Sequence, residues 1–316
     1  MSPESLSKQK WDYDNIEDQS GKVFVVTGAN SGLGFAATKG LAAKNATVVM
    51  ACRSQDRAEV AAGEIREEHP DADLDIILLD LASLDSVQTF AEQFHQKYDH
   101  LHGLLNNAGI MQPPYQKTED GFELQIGVNH FGHFALTGRL LDPIKNTAGA
   151  RVVVQSSFAH EMTDGINFDD INSEDNYSRT GAYAQSKLAN LLFAFELDRR
   201  FETHDIDAMA VGVHPGYTAT NLQFSGPALD GWSILSFLYR FTNKLFAQSM
   251  KMGALPLLYA TVEDDVNRRD YIGPGGFFEA RGYPARVEAS EKAYDKDEAK
   301  KLWTLSEELT GVSHDF

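Results

Sequence analysis

A single cysteine, Cys52, occurs among the 316 residues. No intrachain disulfide can form, and a reducing, cytoplasmic compartment is expected. Cys52 closes the apolar run Val48-Val-Met-Ala-Cys52 and reads as a small buried hydrophobe. Long apolar runs are lacking as well: none reaches about 18 residues, the length that reads as a membrane span. The first twenty residues are polar, so neither signal peptide nor anchor is expected. Basic residues are few, with 28 Lys and Arg against 46 Asp and Glu, a net charge of −18 and a pI near 4.9. A nucleic-acid partner would need a basic patch and is not expected. A saline cytoplasm and plain solubility account equally well for the acidity. A phosphate ligand is not excluded, because one local arginine suffices to bind it. A metal set is missing too. His130 and His133 stand one helical turn apart, but no third ligand accompanies them at a recognisable spacing. Packing or hydrogen bonding is their expected role.

What is present suits one large α/β domain. Hydrophobic residues make up 42% and charged ones 23%, enough apolar material for a full core. Residues 1–20 read as a polar arm and 21–316 as the domain. Strand patterns fall at 22–28, 47–53, 73–81, 102–109, 151–157 and 207–216, with helical patterns between them at about 32–44, 55–68, 84–98, 119–146 and 181–203. Nearly continuous apolar strands such as Val152-Val-Val154 suit a parallel sheet covered on both faces. The alternation predicts a doubly wound Rossmann fold. Residues 217–252 break the rhythm: a Gly226–Gly231 turn cluster precedes a partly amphipathic stretch, Trp232 to Phe246. A membrane-surface helix is the alternative there, disfavoured by its two basic residues, Arg240 and Lys244.

Two patterns carry chemistry. Lys22-Val-Phe-Val-Val-Thr-Gly28 reads as a buried strand, followed by Ala29-Asn-Ser-Gly-Leu-Gly34 and a helix. Gly28 permits a tight turn, Gly32 lets backbone approach a pyrophosphate, and Gly34 allows helix to pack on strand. The helix start offers free N–H groups and a positive dipole end to phosphate. Tyr183 and Lys187 lie four residues apart, on one face if the stretch is helical. A phenol titrates near pH 10. A neighbouring ammonium lowers that value, so the pair suits proton transfer to or from an alcohol or carbonyl oxygen.

These motifs occur in one order: Thr27-Gly28-x3-Gly32-x-Gly34, Asn106-Asn107-Ala108-Gly109, Asn129, Ser157, Tyr183-x3-Lys187 and Pro215-Gly216. That order resembles the short-chain dehydrogenases/reductases over about residues 20 to 310. Finer wording resembles the retinol-dehydrogenase-like branch, in Asp120–Phe134, Ser186–Phe193 and Leu302–Gly311. The resemblance implies a single domain with a seventh strand around Tyr271–Phe278, and a substrate lid at about 217–252. It also implies reversible hydride transfer between a nicotinamide and an alcohol or carbonyl carbon.

Site residues follow from the same resemblance. Tyr183 is the proton donor or acceptor, and Lys187 tunes it and binds the nicotinamide ribose. Ser156 and Ser157 compete to orient the carbonyl. Neighbours on a strand face opposite ways, and Ser157-Phe-Ala-His160 matches the family's Ser-x-x-Gly with histidine in the last place, so Ser157 is chosen. Tyr183 follows it by 26 positions, a longer gap than is common in the family. The extra stretch, Asp164 to Thr180, reads as an acidic surface loop near the site mouth. Asn129 matches the asparagine that holds a water chain to the lysine; fixing a helix bend is the structural alternative.

Cofactor contacts are expected from Gly28, Asn30, Ser31, Gly32, Leu33 and Gly34, from Asn107, Ala108 and Gly109, and from Pro215, Gly216 and Thr218. Asp80 and Leu81 match the adenine contact, with a helix-start acid as the plainer reading of Asp80. Strand two ends in Ala51-Cys52-Arg53, with no acid to accept from an adenosine ribose. A guanidinium there matches a 2′-phosphate, so NADP(H) is expected over NAD(H). Phe158, Met162, Tyr217 and Phe224 point to an apolar substrate. Two rivals stand beside this reading: C=C reduction of the protochlorophyllide-reductase type, which needs a cysteine near the substrate, and NADP(H) sensing without turnover. The family also implies a homodimer or homotetramer through the helices bearing Asn129 and Tyr183. Leu191-Leu-Phe-Ala-Phe195 suits an interface or an ordinary core face, and the stretch after residue 290 is placed to block such contacts.

Overall fold

The computed structural model describes residues 10–217 and 249–316. One eight-stranded sheet organises them, in the order β3-β2-β1-β4-β5-β6-β7-β8. Its strands are β1 Val23–Thr27, β2 Thr47–Cys52, β3 Leu74–Leu78, β4 Gly103–Asn106, β5 Ala150–Gln155, β6 Ala208–Val213, β7 Tyr271–Pro274 and β8 Pro284–Val287. The first seven are parallel, and β8 alone runs antiparallel, against β7. The sheet therefore has one strand more than expected. β8 begins on Pro284, at the sheet edge, where a missing N–H removes no ladder bond. Thr218, Phe224 and most of the expected lid lie outside the described residues.

The apolar strands split by alternation. Val25, Val49, Leu104, Val152 and Val154 face one core, while Phe24, Val26, Val48, Met50, Leu105 and Val153 face the other. Helices α1 (Gly32–Ala42) and α2 (Gln55–Glu68) cover the second core. After residue 249 come α8 (Met250–Gly253) and α9 (Leu255–Val262), and α9 completes that layer. The inner half of the N-terminal arm joins it. Trp11 is buried, donates from Nε1 to Glu263 at 2.7 Å and meets the Tyr259 ring edge-on.

The opposite layer holds α3 (Leu84–His95), α7 (Arg179–Thr203) and α10 (Lys296–Thr310). The helix expected over 119–146 belongs here but is broken. It runs as α4 (Leu124–Ile126), a π-helical turn (Gly127–Phe131), α5 (Gly132–Arg139) and α6 (Leu141–Lys145). Leu191 to Phe195 turn out to be core: all five are at most 3% exposed. The stretch after residue 290 provides the cover, with Trp303 of α10 against Phe193 at 5.8 Å and Tyr294, on the 3-10 turn before α10, stacked on Phe195 at 5.0 Å. No helix among the described residues is long and apolar enough to cross a membrane.

Candidate active site

The strand order reverses between β1 and β4, and their carboxyl ends flank the crevice where ligands bind in such sheets. The expected motifs follow β1 through β6 at this edge. Gly28 has φ +68 and Gly32 φ +58, both left-handed, which favours glycine at each. A Cβ on Gly34 would collide with the Gly28 carbonyl, so helix and strand touch backbone to backbone there. A Cβ on Gly32 would meet nothing within 4 Å, so the space before the turn is open. Ser31 occupies the N-cap of α1 without capping it, whereas Ser54, Ser83 and Ser178 cap α2, α3 and α7. The first turn of α1 thus keeps N–H groups for an anion. An open, uncapped glycine turn fits a dinucleotide pyrophosphate.

The ends of β1 and β4 are knotted through Thr27. Its Oγ1 accepts from the main-chain N–H of Asn107 and Ala108, each at 2.9 Å. Asn107 Nδ2 donates to the Thr27 carbonyl at 2.7 Å. Cys52 is 1% exposed, beneath Ala29 and Asn30 of the turn, and burial pushes its thiol up to about 11. Arg53 is exposed and forms no ion pair among the described residues. Asp80 is half-buried, and its Oδ1 accepts from Ala82 N at 2.9 Å; the cap of α3 is Ser83. Asp80 is therefore a turn-forming acid one step before the helix.

Ser156 and Ser157 diverge. Ser156 is 2% exposed and donates to the Lys187 carbonyl at 2.9 Å. Ser157 caps the 3-10 turn Phe158–Met162 and stands near enough to Tyr183 to lower its phenol. Lys187 is 3% exposed, lies 5.7 Å from the Tyr183 ring centroid, and donates to the Gln155 carbonyl at 3.1 Å. Burial pushes the Tyr183 phenol up to about 12, against the lowering influence of Ser157. Burial also pulls the Lys187 ammonium down to about 8. Burial, not the neighbouring ammonium, is the largest influence on the phenol in the protein alone.

Asn129 sits in the π-helical turn, which sequence periodicity did not reveal. Its Oδ1 accepts from Ile110 N at 2.8 Å, and its Nδ2 donates to the Ile110 carbonyl at 3.0 Å and to Ser186 Oγ at 2.9 Å. The side chain thus clamps the irregular segment that leaves Gly109. A Cβ on Gly109 would stand 3.1 Å from Asn129 Oδ1 and 3.5 Å from Lys187 Nζ. Pro215 and Gly216 follow β6; Gly216 has φ +64, and a Cβ there would press on the Ala280 carbonyl.

Sequence reasoning missed Gln125, which is fully buried. Its Oε1 accepts from Gln112 N at 2.8 Å, and its Nε2 donates to Tyr177 Oη at 3.0 Å and to the Arg179 carbonyl at 3.1 Å. It fastens the acidic loop to the segment after β4. A buried glutamine carries no periodic signal to distinguish it from an exposed one. His130 and His133 are each 1% exposed; His130 meets Ser306 at 2.9 Å, and His133 meets Thr27 and Asn129. Among the described residues no group of three His, Cys, Asp or Glu could hold a metal.

Comparison with known proteins agrees with this geometry. The family model for short chain dehydrogenase matches residues 22–227. Retinol dehydrogenase 14 of Homo sapiens is 40% identical over 305 residues, covering 92% of this chain and 87% of that protein. Retinol dehydrogenase 12 of Mus musculus is 39% identical over 292 residues, with 92% and 87% covered. A crystal structure of a protein from Mycobacterium Paratuberculosis is 37% identical with a TM-score of 0.79, covering 98% of this chain and 100% of that one. A short chain dehydrogenase from Shigella flexneri complexed with NADP is 21% identical with a TM-score of 0.61, covering 81% and 97%. At that identity the likeness speaks for the fold alone.

Proposed function

Because the chain belongs to the short-chain dehydrogenase family, oxidoreductases that act on CH–OH and C=O groups with NAD(P), we propose that it interconverts an apolar alcohol and its aldehyde or ketone with NADP(H). The observation that carries this reading is the buried Lys187, 5.7 Å from the Tyr183 ring centroid and one helical turn from it, at the sheet edge that also bears Ser157 and the glycine turn. When bound, the nicotinamide supplies or takes the hydride. Tyr183 gives its hydroxyl proton to the carbonyl oxygen on reduction and takes the alcohol proton on oxidation. Ser157 donates to the same oxygen. Lys187 holds the nicotinamide ribose, and Asn129 keeps the lysine's surroundings in place.

Gly28, Asn30, Ser31, Gly32, Leu33 and Gly34 would hold the pyrophosphate. Arg53, exposed and without an ion pair among the described residues, would meet a 2′-phosphate. Asp80 and Leu81 would border the adenine, and Asn107, Ala108, Gly109, Pro215 and Gly216 the nicotinamide half. Phe158 and Met162 lie on the turn that Ser157 caps, which supports an apolar substrate. The buried Cys52 lies under the glycine turn, which weighs against the cysteine-dependent C=C rival.

The test is binding of NADPH and NADH to wild type and Tyr183→Phe, followed by a panel of aldehydes and ketones. NADPH should bind both proteins, with kcat in the variant reduced about 10²- to 10⁴-fold. Binding without turnover by wild type would favour a sensor. Absence of binding would sink the dinucleotide reading.

A further inference from the structure

Hydride transfer as described leaves the buried His133 without a task, yet both of its ring nitrogens are engaged. Nδ1 lies 3.0 Å from the Asn129 carbonyl oxygen and Nε2 lies 3.0 Å from Thr27 Oγ1. A carbonyl only accepts, so Nδ1 carries the proton. Burial pulls the imidazolium down to about 4; the Asn129 hydrogen bond opposes that, and the Lys187 charge adds to it. Nε2 is therefore bare near neutral pH and, at 3.0 Å, is a nearer acceptor for the single Thr27 hydroxyl hydrogen than the Leu105 carbonyl at 3.2 Å. The titratable groups facing this ring are Lys187 of α7 and His130 of the π-helical turn.

The two partners belong to different halves of the site. Thr27 ends β1 just before the glycine turn and already gathers the main-chain N–H groups of Asn107 and Ala108. Asn129 lies in a π-helical turn, a distortion of the helix ladder that outside contacts must steady. Across Gly109 it adjoins Lys187.

We propose that His133 is a positioning residue: its ring ties Thr27, and with it the ends of β1 and β4, to the Asn129 carbonyl, and so sets Asn129 and Lys187 relative to the glycine turn. This rests on the function proposed above only in its kinetic part. The other part is the ring's tautomer, which ¹⁵N NMR of the full chain reads without any turnover. Nδ1 should be protonated and Nε2 bare, without titration between about pH 5.5 and 9. A protonated Nε2 overturns the proposal.

His133→Phe keeps a ring of similar shape and removes both bonds, whereas His133→Gln keeps an amide that can reach Thr27. In the Phe variant the Kd for NADPH should stay within a few-fold of wild type. Its kcat should fall on the order of a hundredfold, the effect of a displacement near 1 Å, and the pH at which kcat breaks should move with Lys187. The Gln variant should recover part of kcat. A folded His133→Phe protein with unchanged kcat and pH profile overturns the proposal. If that variant does not fold, the Gln variant decides: reduced kcat at wild-type Kd supports the role, and wild-type kcat refutes it. A wild type that binds NADPH but reduces no carbonyl sinks the proposed function and leaves the tautomer measurement to judge His133.

Discussion

Lys187 points its ammonium at the carbonyl of Gln155, 3.1 Å away, and stands 5.7 Å from the centroid of the Tyr183 ring. Its charge is nearly enclosed, at 3% exposure, and that enclosure has a thermodynamic sign. Burial lowers the folded-state pKa to about 8 from an ordinary 10.5. The unfolded chain therefore binds the extra proton between those values, and stability rises with pH across that window. Below about pH 8 the folded protein bears a cost of about 3 kcal/mol for this group. Lys187→Met should therefore unfold at higher denaturant than wild type at pH 7 while losing turnover. The difference should shrink as pH approaches 10.5. Equal midpoints at both pH values would mean that the ammonium is hydrated in the folded state.

The same two groups set the pH profile. A phenol pushed up to about 12 is protonated at neutral pH, which suits reduction. Carbonyl reduction should hold steady through neutral pH and decline as Lys187 loses its proton near pH 8. Alcohol oxidation, which needs the phenolate, should climb with pH. Initial rates in both directions from pH 6 to about 10 check this. A reduction rate that rises steadily with pH would contradict the assignment of Tyr183 as acid.

The divergent serines give a paired test. Ser157→Ala removes the hydroxyl that lowers the Tyr183 phenol and should cut kcat about 10²-fold or more. Ser156→Ala leaves that hydroxyl in place and frees the Lys187 carbonyl instead. It should cost about 1 kcal/mol of stability with a smaller effect on kcat. The reverse ranking would exchange their roles.

Arg53 decides the choice between dinucleotides. Arg53→Ala should raise the KM for NADPH about ten- to a hundredfold, the worth of a charge-assisted phosphate contact. KM for NADH should hardly change. Equal effects on both cofactors would refute a 2′-phosphate contact.

Gly34→Ala places a methyl on the Gly28 carbonyl. The expected cost is about 1–3 kcal/mol from overpacking, with weaker dinucleotide binding as the turn shifts. Denaturant midpoints and NADPH titration measure the two effects. An unchanged protein would show that α1 slides away from β1 without consequence.

Much of the fold was legible because burial on both sheet faces makes strands continuous and apolar, and glycine marks their ends. Helix α2 falls at 55–68, as its pattern indicates. The break in the 119–146 helix was not legible. It depends on side chains reaching across the structure, with Asn129 bound to Ile110 and His133 to Thr27. Local propensity carries no record of such contacts. β8 was hidden because four residues beginning with proline look like a turn. The motifs pointed to one sheet edge, where the strand order places the candidate residues together, but the direction of the Tyr183 shift was not readable. A lysine one helical turn away announces its charge in the sequence; the depth at which both groups are buried is a property of the packed domain.

The cover that α10 lays over Leu191–Phe195 bears on how the chain is made. During synthesis α7 leaves the ribosome well before the helix that shields it. Its apolar back is then open to water while the sheet is already able to assemble. That interval is when chaperones or a second nascent chain could bind this surface. A chain stalled before Trp303 should therefore be held by a chaperone and released only once α10 docks, so that synthesis of this helix acts as the signal for maturation.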